Sequence, residues 1–297
     1  MLSAGDPQPH FKLIGSGTLV EIDNTYHVLT AAHVWHEARG VDQIGLALTT
    51  YPSAFAIPCD AIRVKSVWSH ENPEWGPDLA LLELPRPLVS RIGAHKSFLN
   101  LRQQRSTLAT HPPALGRCWA VTGMVGQFSE VQSRPQDGII EANIQARAFF
   151  SLIQQTHLRE GYDYFDAGAK ANLMGVPSSF GGLSGGGLWE IGLSMTKSGA
   201  ISWDGQRHFR GVAFWQSRLS DGRRMIRCHG PQSVFERAWD SWALTPKGTQ
   251  TESVDGRQIA REFAVQWQAA RAETEAGGAP RVTDDAEPPA TWQDKLL

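Results

Sequence analysis

The chain has 297 residues, with 28 Lys and Arg against 30 Asp and Glu and a formal net charge of −2. This length can bury the core of one large unit or two ordinary domains, and the balanced charge argues against nucleic acid or an anionic membrane as a partner. The three cysteines, Cys59, Cys118 and Cys228, exclude a disulfide framework and suit a reducing compartment, although the sequence leaves a bridge between Cys118 and Cys228 open.

Residues 1–11 lack the basic start and apolar run of a signal peptide, and no stretch approaches the ~20 apolar residues of a membrane span. We therefore expect a soluble, cytoplasmic protein. Two histidine pairs, His33 with His36 and His208 with His229, invite a metal interpretation. The first pair is set aside because a motif discussed below gives His33 another role, and the second lacks the spacing of metal ligands. We expect no metal and no other cofactor.

The first hundred residues alternate between short apolar segments and turn residues. Residues 13–22 predict a strand with a glycine break, Asp23 and Asn24 predict a turn, and residues 26–30 predict the returning strand. A short helical turn is expected over residues 31–35. Three further strands are predicted, over residues 44–48, 61–68 and 79–84.

The proline-rich residues 85–116 predict a connection to a second strand-rich half that opens at residue 118. Many short strands with turns between them indicate an all-β sandwich or barrel. Helices are expected only late, from Pro231 and again from Asp255, and we expect them to pack on the strands, with partner binding as the alternative. The acidic, Ala-, Gly- and Pro-rich residues 272–297 predict a disordered tail.

Three motifs carry chemistry: TAAH at residues 30–33, PDLALL at residues 77–82 and FGGLSGGG at residues 180–187. A serine between glycines suits a tight turn with an exposed hydroxyl, and the backbone amides of Gly182 and Ser184 can then face one developing oxyanion.

The chain order His33, Asp78, Ser184 is one that a nucleophilic triad takes. His33 would be the general base, Asp78 would orient its imidazole, and Ser184 would attack a carbonyl carbon and become acylated. Each motif alone is common, and their joint occurrence carries the hypothesis.

These motifs resemble those of the trypsin/chymotrypsin-like serine peptidases, as do the strand GSGTL at residues 15–19 and GVAFW at residues 211–215. The resemblance covers roughly residues 13–240. It implies two antiparallel, six-stranded β-barrels with the active site in the cleft between them. We therefore divide the chain into an N-terminal barrel, a C-terminal barrel, a helical segment and a disordered tail, over residues 1–105, 106–230, 231–271 and 272–297.

The chain departs from the secreted members of that family at Leu183, where they have an aspartate that pairs with a newly cut N-terminus. With few cysteines as well, it is more similar to intracellular bacterial relatives. We expect regulation by loop ordering or by a partner protein.

By the same resemblance, Ser178 lies at the base of the first specificity pocket and Gln216 at its mouth. A preference for Lys or Arg then lacks its usual carboxylate, unless Asp163 or Asp166 supplies one, and Gln216 narrows the entrance in favour of small or polar side chains. The substrate would pair, strand to strand, with Phe214, Trp215 and Gln216.

The sequence thus predicts a serine endopeptidase that cuts a protein or peptide substrate in limited, regulated proteolysis. Two alternatives stay open: a catalytically silent peptide-binding module, and an esterase or acyl transferase with the same triad. The physiological substrate, the activating signal and the oligomeric state are not encoded in these motifs.

Overall fold

The computed structural model describes residues 2–5, 10–48, 54–69, 71–114, 117–134, 139–170, 175–195 and 201–244. All of them belong to one unit, Met1–Val254. The predicted helix that begins at Asp255 and the predicted tail over 272–297 lie outside the described residues. Within the described segments no helix is long and apolar enough to cross a membrane.

The N-terminal half, which we define as residues 2–107, forms two mainly antiparallel sheets. Its strands are β1 Leu2–Gly5, β2 His10–Leu13, β3 Thr18–Ile22, β4 Thr25–Thr30, β5 Gln43–Leu46, β6 Phe55–Pro58, β7 Arg63–Trp68, β8 Asp78–Glu83 and β9 Leu99–Asn100. The five-stranded sheet has the order β7-β8-β4-β3-β9, and the four-stranded sheet has the order β2-β1-β5-β6.

The β3–β4 hairpin turns at Asp23 and Asn24, both at positive φ, which is the backbone of a two-residue turn that matches strand twist. Beside it, β8 lies between β7 and β4 and is buried from Asp78 to Leu82. Leu79 and Leu81 enter one hydrophobic cluster, while Ala80 and Leu82 enter another. A continuous apolar run is needed because both faces of this strand are covered.

The C-terminal half, residues 117–244, contains a seven-stranded antiparallel sheet of order β13-β10-β16-β17-β18-β15-β14 and a two-stranded ribbon, β11-β12. Its strands are β10 Cys118–Met124, β11 Glu130–Arg134, β12 Ile139–Asn143, β13 Ala146–Ser151, β14 Ile153–Arg159, β15 Tyr162–Lys170, β16 Gly187–Met195, β17 Ile201–Gln216 and β18 Arg223–His229. The all-β prediction is confirmed at this level: the chain is mostly strand, with large sheets of five and seven strands.

The helices correct the sequence-based expectation that they come only late. They are α1 Ala32–Ala38, α2 Arg86–Gly93, α3 Leu101–Thr107, a π-helical stretch Ser233–Ala238 and α4 Trp239–Leu244. The predicted connection over 85–116 therefore holds two helices. Its prolines begin α2 instead of breaking it, because Pro85 is the N-cap and Pro87 lies in the first turn. Short helical turns lie at Cys59–Ala61 and Gly126–Phe128.

The two halves share their hydrophobic cores. Tyr164 and Phe214 pack into the main cluster of the N-terminal half, and Phe235 from the C-terminal helix packs with β4 and β8 residues in a second cluster. All three cysteines are free, so the disulfide between Cys118 and Cys228 that the sequence allowed does not form.

Candidate active site

His33 and Asp78 form a hydrogen-bonded pair. His33 lies in the first turn of α1, directly after the buried end of β4, and Asp78 is the first residue of β8. The Nδ1–H of His33 donates to Oδ2 of Asp78 at 2.5 Å, and the backbone N–H of His33 donates to Oδ1 at 2.9 Å. Both carboxylate oxygens therefore hold His33, and Nε2 is the second ring nitrogen, the one that is not bonded to the carboxylate.

The pair stabilises its own charged state. Burial alone would lower the pKa of His33, but the Asp78 carboxylate raises it above the ordinary value of 6.5. Burial alone would raise the pKa of Asp78, but the His33 charge and hydrogen bonds bring it below 3.8. The arrangement is suited to hold an imidazolium ion that forms transiently at His33.

A second histidine, His229, supports this pair from behind. The backbone N–H of Asp78 donates to Nε2 of His229 at 3.1 Å, and His229 is 0% exposed at the end of β18. Burial lowers its pKa to about 3, although the Asp78 charge acts in the opposite direction. In the sequence His229 suggests only a metal pair with His208, and nothing local indicates its contact with Asp78.

The turn that carries Ser184 requires glycine. Gly182 and Gly185 have φ of +88° and +86°, in the left-handed region that favours glycine. A Cβ on Gly185 would lie 2.1 Å from Thr30 Oγ1, and one on Gly186 would lie 2.0 Å from Thr122 O. The turn is closed by backbone bonds from Gly185 to Ala213 and from Gly186 to Leu183, at 2.7 and 2.8 Å.

The Ser184 turn is docked against the segments that hold His33. The backbone N–H of Ser16 donates to the carbonyl of Ser184 at 2.7 Å, and the Thr30 hydroxyl donates to the carbonyl of Ser16 at 2.7 Å. Gly15 lies against both Val34, the neighbour of His33, and the Ser184 carbonyl. The structure thus brings Ser184 to the segment that carries His33.

The backbone donors predicted for an oxyanion have no acceptor of their own. In the part of the chain that the structure describes, the amides of Gly182 and Ser184 make no hydrogen bond. The carbonyl of Gly182 is fixed on its other side by the Ser16 hydroxyl at 2.7 Å, and that hydroxyl accepts from Met124 N–H at 2.7 Å. In the sequence Ser16 is only part of a predicted strand with a glycine break, and no local signal indicates the role of its side chain.

The residues predicted to contact substrate lie near the Ser184 turn or are held by side-chain hydrogen bonds to neighbouring segments. The Phe214 ring is buried, and the Phe214 carbonyl accepts a hydrogen bond from Ser184 Oγ at 3.5 Å. Trp215 is partly buried. The Gln216 side chain accepts from Phe180 N–H at 2.9 Å, and Ser178 donates through its amide and hydroxyl to Gln127 Oε1 at 2.9 and 3.1 Å.

The two aspartates considered as sources of a pocket carboxylate are engaged elsewhere. Asp166 is 2% exposed and receives two hydrogen bonds of 2.8 Å from Arg227. Asp163 accepts from the backbone of Gln232 and Ser233 at 3.1 and 2.6 Å and so caps the C-terminal helix. Both carboxylates therefore have structural partners.

Among the described residues no three His, Cys, Asp or Glu side chains converge as metal ligands would. No protein-family model matches the chain, and no curated protein matches it. The assignment of a function therefore rests on the geometry of these residues.

Proposed function

We propose that this protein is a serine endopeptidase of the trypsin-like type. The observation that carries the proposal is the charge-stabilised His33–Asp78 pair, in which Asp78 is buried and His33 partly so, with the glycine turn of Ser184 docked against the segments beside His33. A His–Asp pair can be purely structural, but the Ser184 turn also presents the amides of Gly182 and Ser184, which bond to no other residue that the structure describes.

In the proposed reaction, Ser184 Oγ attacks the carbonyl carbon of a peptide bond as His33 Nε2 takes the hydroxyl proton. The carbonyl oxygen becomes an oxyanion within reach of the Gly182 and Ser184 amides. The C–N bond then breaks, and His33 returns its proton to the leaving amine. Water, deprotonated by His33, releases the acyl group and restores Ser184.

The two halves would be the two barrels, and the peptide would lie along Phe214, Trp215 and Gln216 as an added antiparallel strand. The Gln216 side chain supports a narrow specificity site. Its amide reaches from the end of β17 to the main chain of Phe180 and, at 3.5 Å, to the hydroxyl of Ser179. It would cross the entrance of a pocket between these segments, which favours small side chains in the substrate.

A fluorescent fluorophosphonate, which reacts with activated serine hydroxyls, tests the proposal. The wild-type protein should be labelled, Ser184→Ala should not, and Ser106→Ala, a change at an exposed position of α3, should be labelled like wild type. Absence of wild-type labelling, or labelling that survives Ser184→Ala, would refute an activated Ser184.

A peptide library then separates peptidase from esterase. Cleavage of peptides after small residues, with Gln216→Gly extending it to larger ones, is the expected result. Hydrolysis of small esters with no cleavage of any peptide would overturn the peptidase assignment while leaving the triad in place.

A further inference from the structure

His229 holds Asp78 through the main chain, from the opposite half of the protein. Asp78 opens β8 in the N-terminal half, and His229 closes β18 in the C-terminal half. Their contact is the 3.1 Å hydrogen bond from the Asp78 amide to Nε2. The Asp78 carboxylate faces His33 at the same time, so one residue is held at both its amide and its side chain.

The hydrogen bond fixes the chemical state of His229. Because Nε2 accepts a proton from an amide, it carries none, and the neutral ring has its proton on Nδ1. A protonated ring would direct an N–H at the Asp78 N–H. The ionisable groups packed around the ring are Asp78 and the phenols of Tyr162 and Tyr164, whose rings lie 6.3 and 5.2 Å away. The His229 ring is thus a neutral hydrogen-bond acceptor at neutral pH.

The surroundings leave His229 one orientation. Its ring stacks on Phe214 with centroids 4.3 Å apart and an interplanar angle of 23°. Gly76, at φ +61°, lies so close that a Cβ there would be 3.3 Å from Nε2. The backbone of Gly211 lies against the His229 carbonyl, where a Cβ would approach to 1.7 Å.

The stack on Phe214 connects the two sides of the site. The Phe214 carbonyl accepts from Ser184 Oγ, and the Phe214 ring covers His229, which holds Asp78. A continuous set of contacts therefore runs from Ser184 through Phe214 and His229 to Asp78. Removing the His229 acceptor would leave the Asp78 amide buried without this partner, and the chain around Asp78 would move to find another.

We propose that His229 is a positioning residue, a neutral acceptor that sets the place of Asp78, and through it of His33, relative to Ser184. The proposal rests on the proposed peptidase function for its catalytic consequence. The tautomer and the hydrogen bond are features of the folded chain and are testable without any activity.

Two variants test the consequence. His229→Gln keeps an acceptor oxygen in a similar position, and His229→Leu has none. The readout is the second-order rate of fluorophosphonate labelling as a function of pH. We expect His229→Leu to lower the plateau rate at least tenfold and to move the acid limb to lower pH, because His33 loses part of its carboxylate stabilisation. His229→Gln should recover most of both.

A wild-type rate and profile in His229→Leu, or equal losses in the two variants, would overturn the proposal. Because either variant can fail to fold, nitrogen NMR of the wild-type imidazoles provides a second test. An Nδ1–H tautomer for His229 that persists to pH 5 is expected, and an Nε2–H or charged ring would overturn the proposal. If wild-type protein is not labelled, the peptidase function fails while the NMR result still decides the state of His229.

Discussion

Acid should destabilise this protein, because the folded chain buries histidines in their neutral form. His27, in the middle of β4, is 6% exposed, and burial lowers its pKa from 6.5 to about 4. The unfolded chain therefore binds a proton at His27 at a higher pH than the folded chain does. Stability is lost as the pH falls from the unfolded pKa of 6.5 towards the folded pKa of about 4. At pH 5 the proton taken up by unfolded His27 is worth about 2 kcal/mol. His229 adds a similar amount, since its pKa falls to about 3.

Two groups act in the opposite direction. The raised pKa of His33 means that its contribution is present at low pH and is lost as the pH rises through its folded value. Burial raises the pKa of Asp163, so the folded chain also binds a proton there before the unfolded chain does. These two groups therefore offset part of the ~4 kcal/mol that the two neutral histidines lose together between pH 7 and pH 5.

A difference measurement isolates one residue. Urea unfolding of wild type and His27→Gln at pH 7, 6 and 5 should show the stability gap between them shifting by about 2 kcal/mol in favour of the variant as the pH falls. The groups that oppose the effect are common to both proteins and cancel. A gap that is constant across this range would refute the reasoning, since His27 would then titrate alike in the folded and unfolded states.

Two further predictions concern a buried charge pair and the Ser184 turn. Glu190→Gln should cost about 3–5 kcal/mol in chemical unfolding, because it leaves the buried Arg210 without its 2.7 Å ion partner, whereas Glu83→Gln, at a pair with an exposed arginine, should cost less than about 1 kcal/mol. Gly185→Ala should lower fluorophosphonate labelling at least a hundredfold. Gly205→Ala, with a similar φ of +85° and open space around it, should leave labelling at the wild-type rate.

The parts of the site that sequence analysis could predict are those with local signals. The strand that ends at Thr30, the turn before Asp78 and the glycines around Ser184 are each specified by neighbouring residues, and the structure places all three where they were expected. Local signals gave a wrong prediction for α2. Prolines are common both in loops and at the start of helices, so Pro85 and Pro87 alone do not distinguish a connecting loop from a helix that begins there.

The parts that sequence analysis missed act across the chain. Ser16 and His229 carry no motif, and a lone serine in a strand or a lone histidine beside a cysteine is most often structural. Their importance comes from the partners that folding gives them: Gly182 and Met124 for the Ser16 hydroxyl, and the Asp78 amide for His229. Pairings this remote cannot be obtained from spacing or composition.

These two residues also explain why the proposed site depends on both halves at once. Ser16, from the N-terminal half, fixes the turn that carries Ser184, the proposed nucleophile, and His229, from the C-terminal half, accepts a hydrogen bond from the amide of Asp78. Neither half by itself holds an aligned set. Because a misplacement of about 1 Å can cost a hundredfold in rate, a small shift between the halves would silence the site without unfolding either. A regulatory partner, expected because Leu183 replaces the activating aspartate of secreted relatives, would then need only to bind where the two halves meet and shift one against the other.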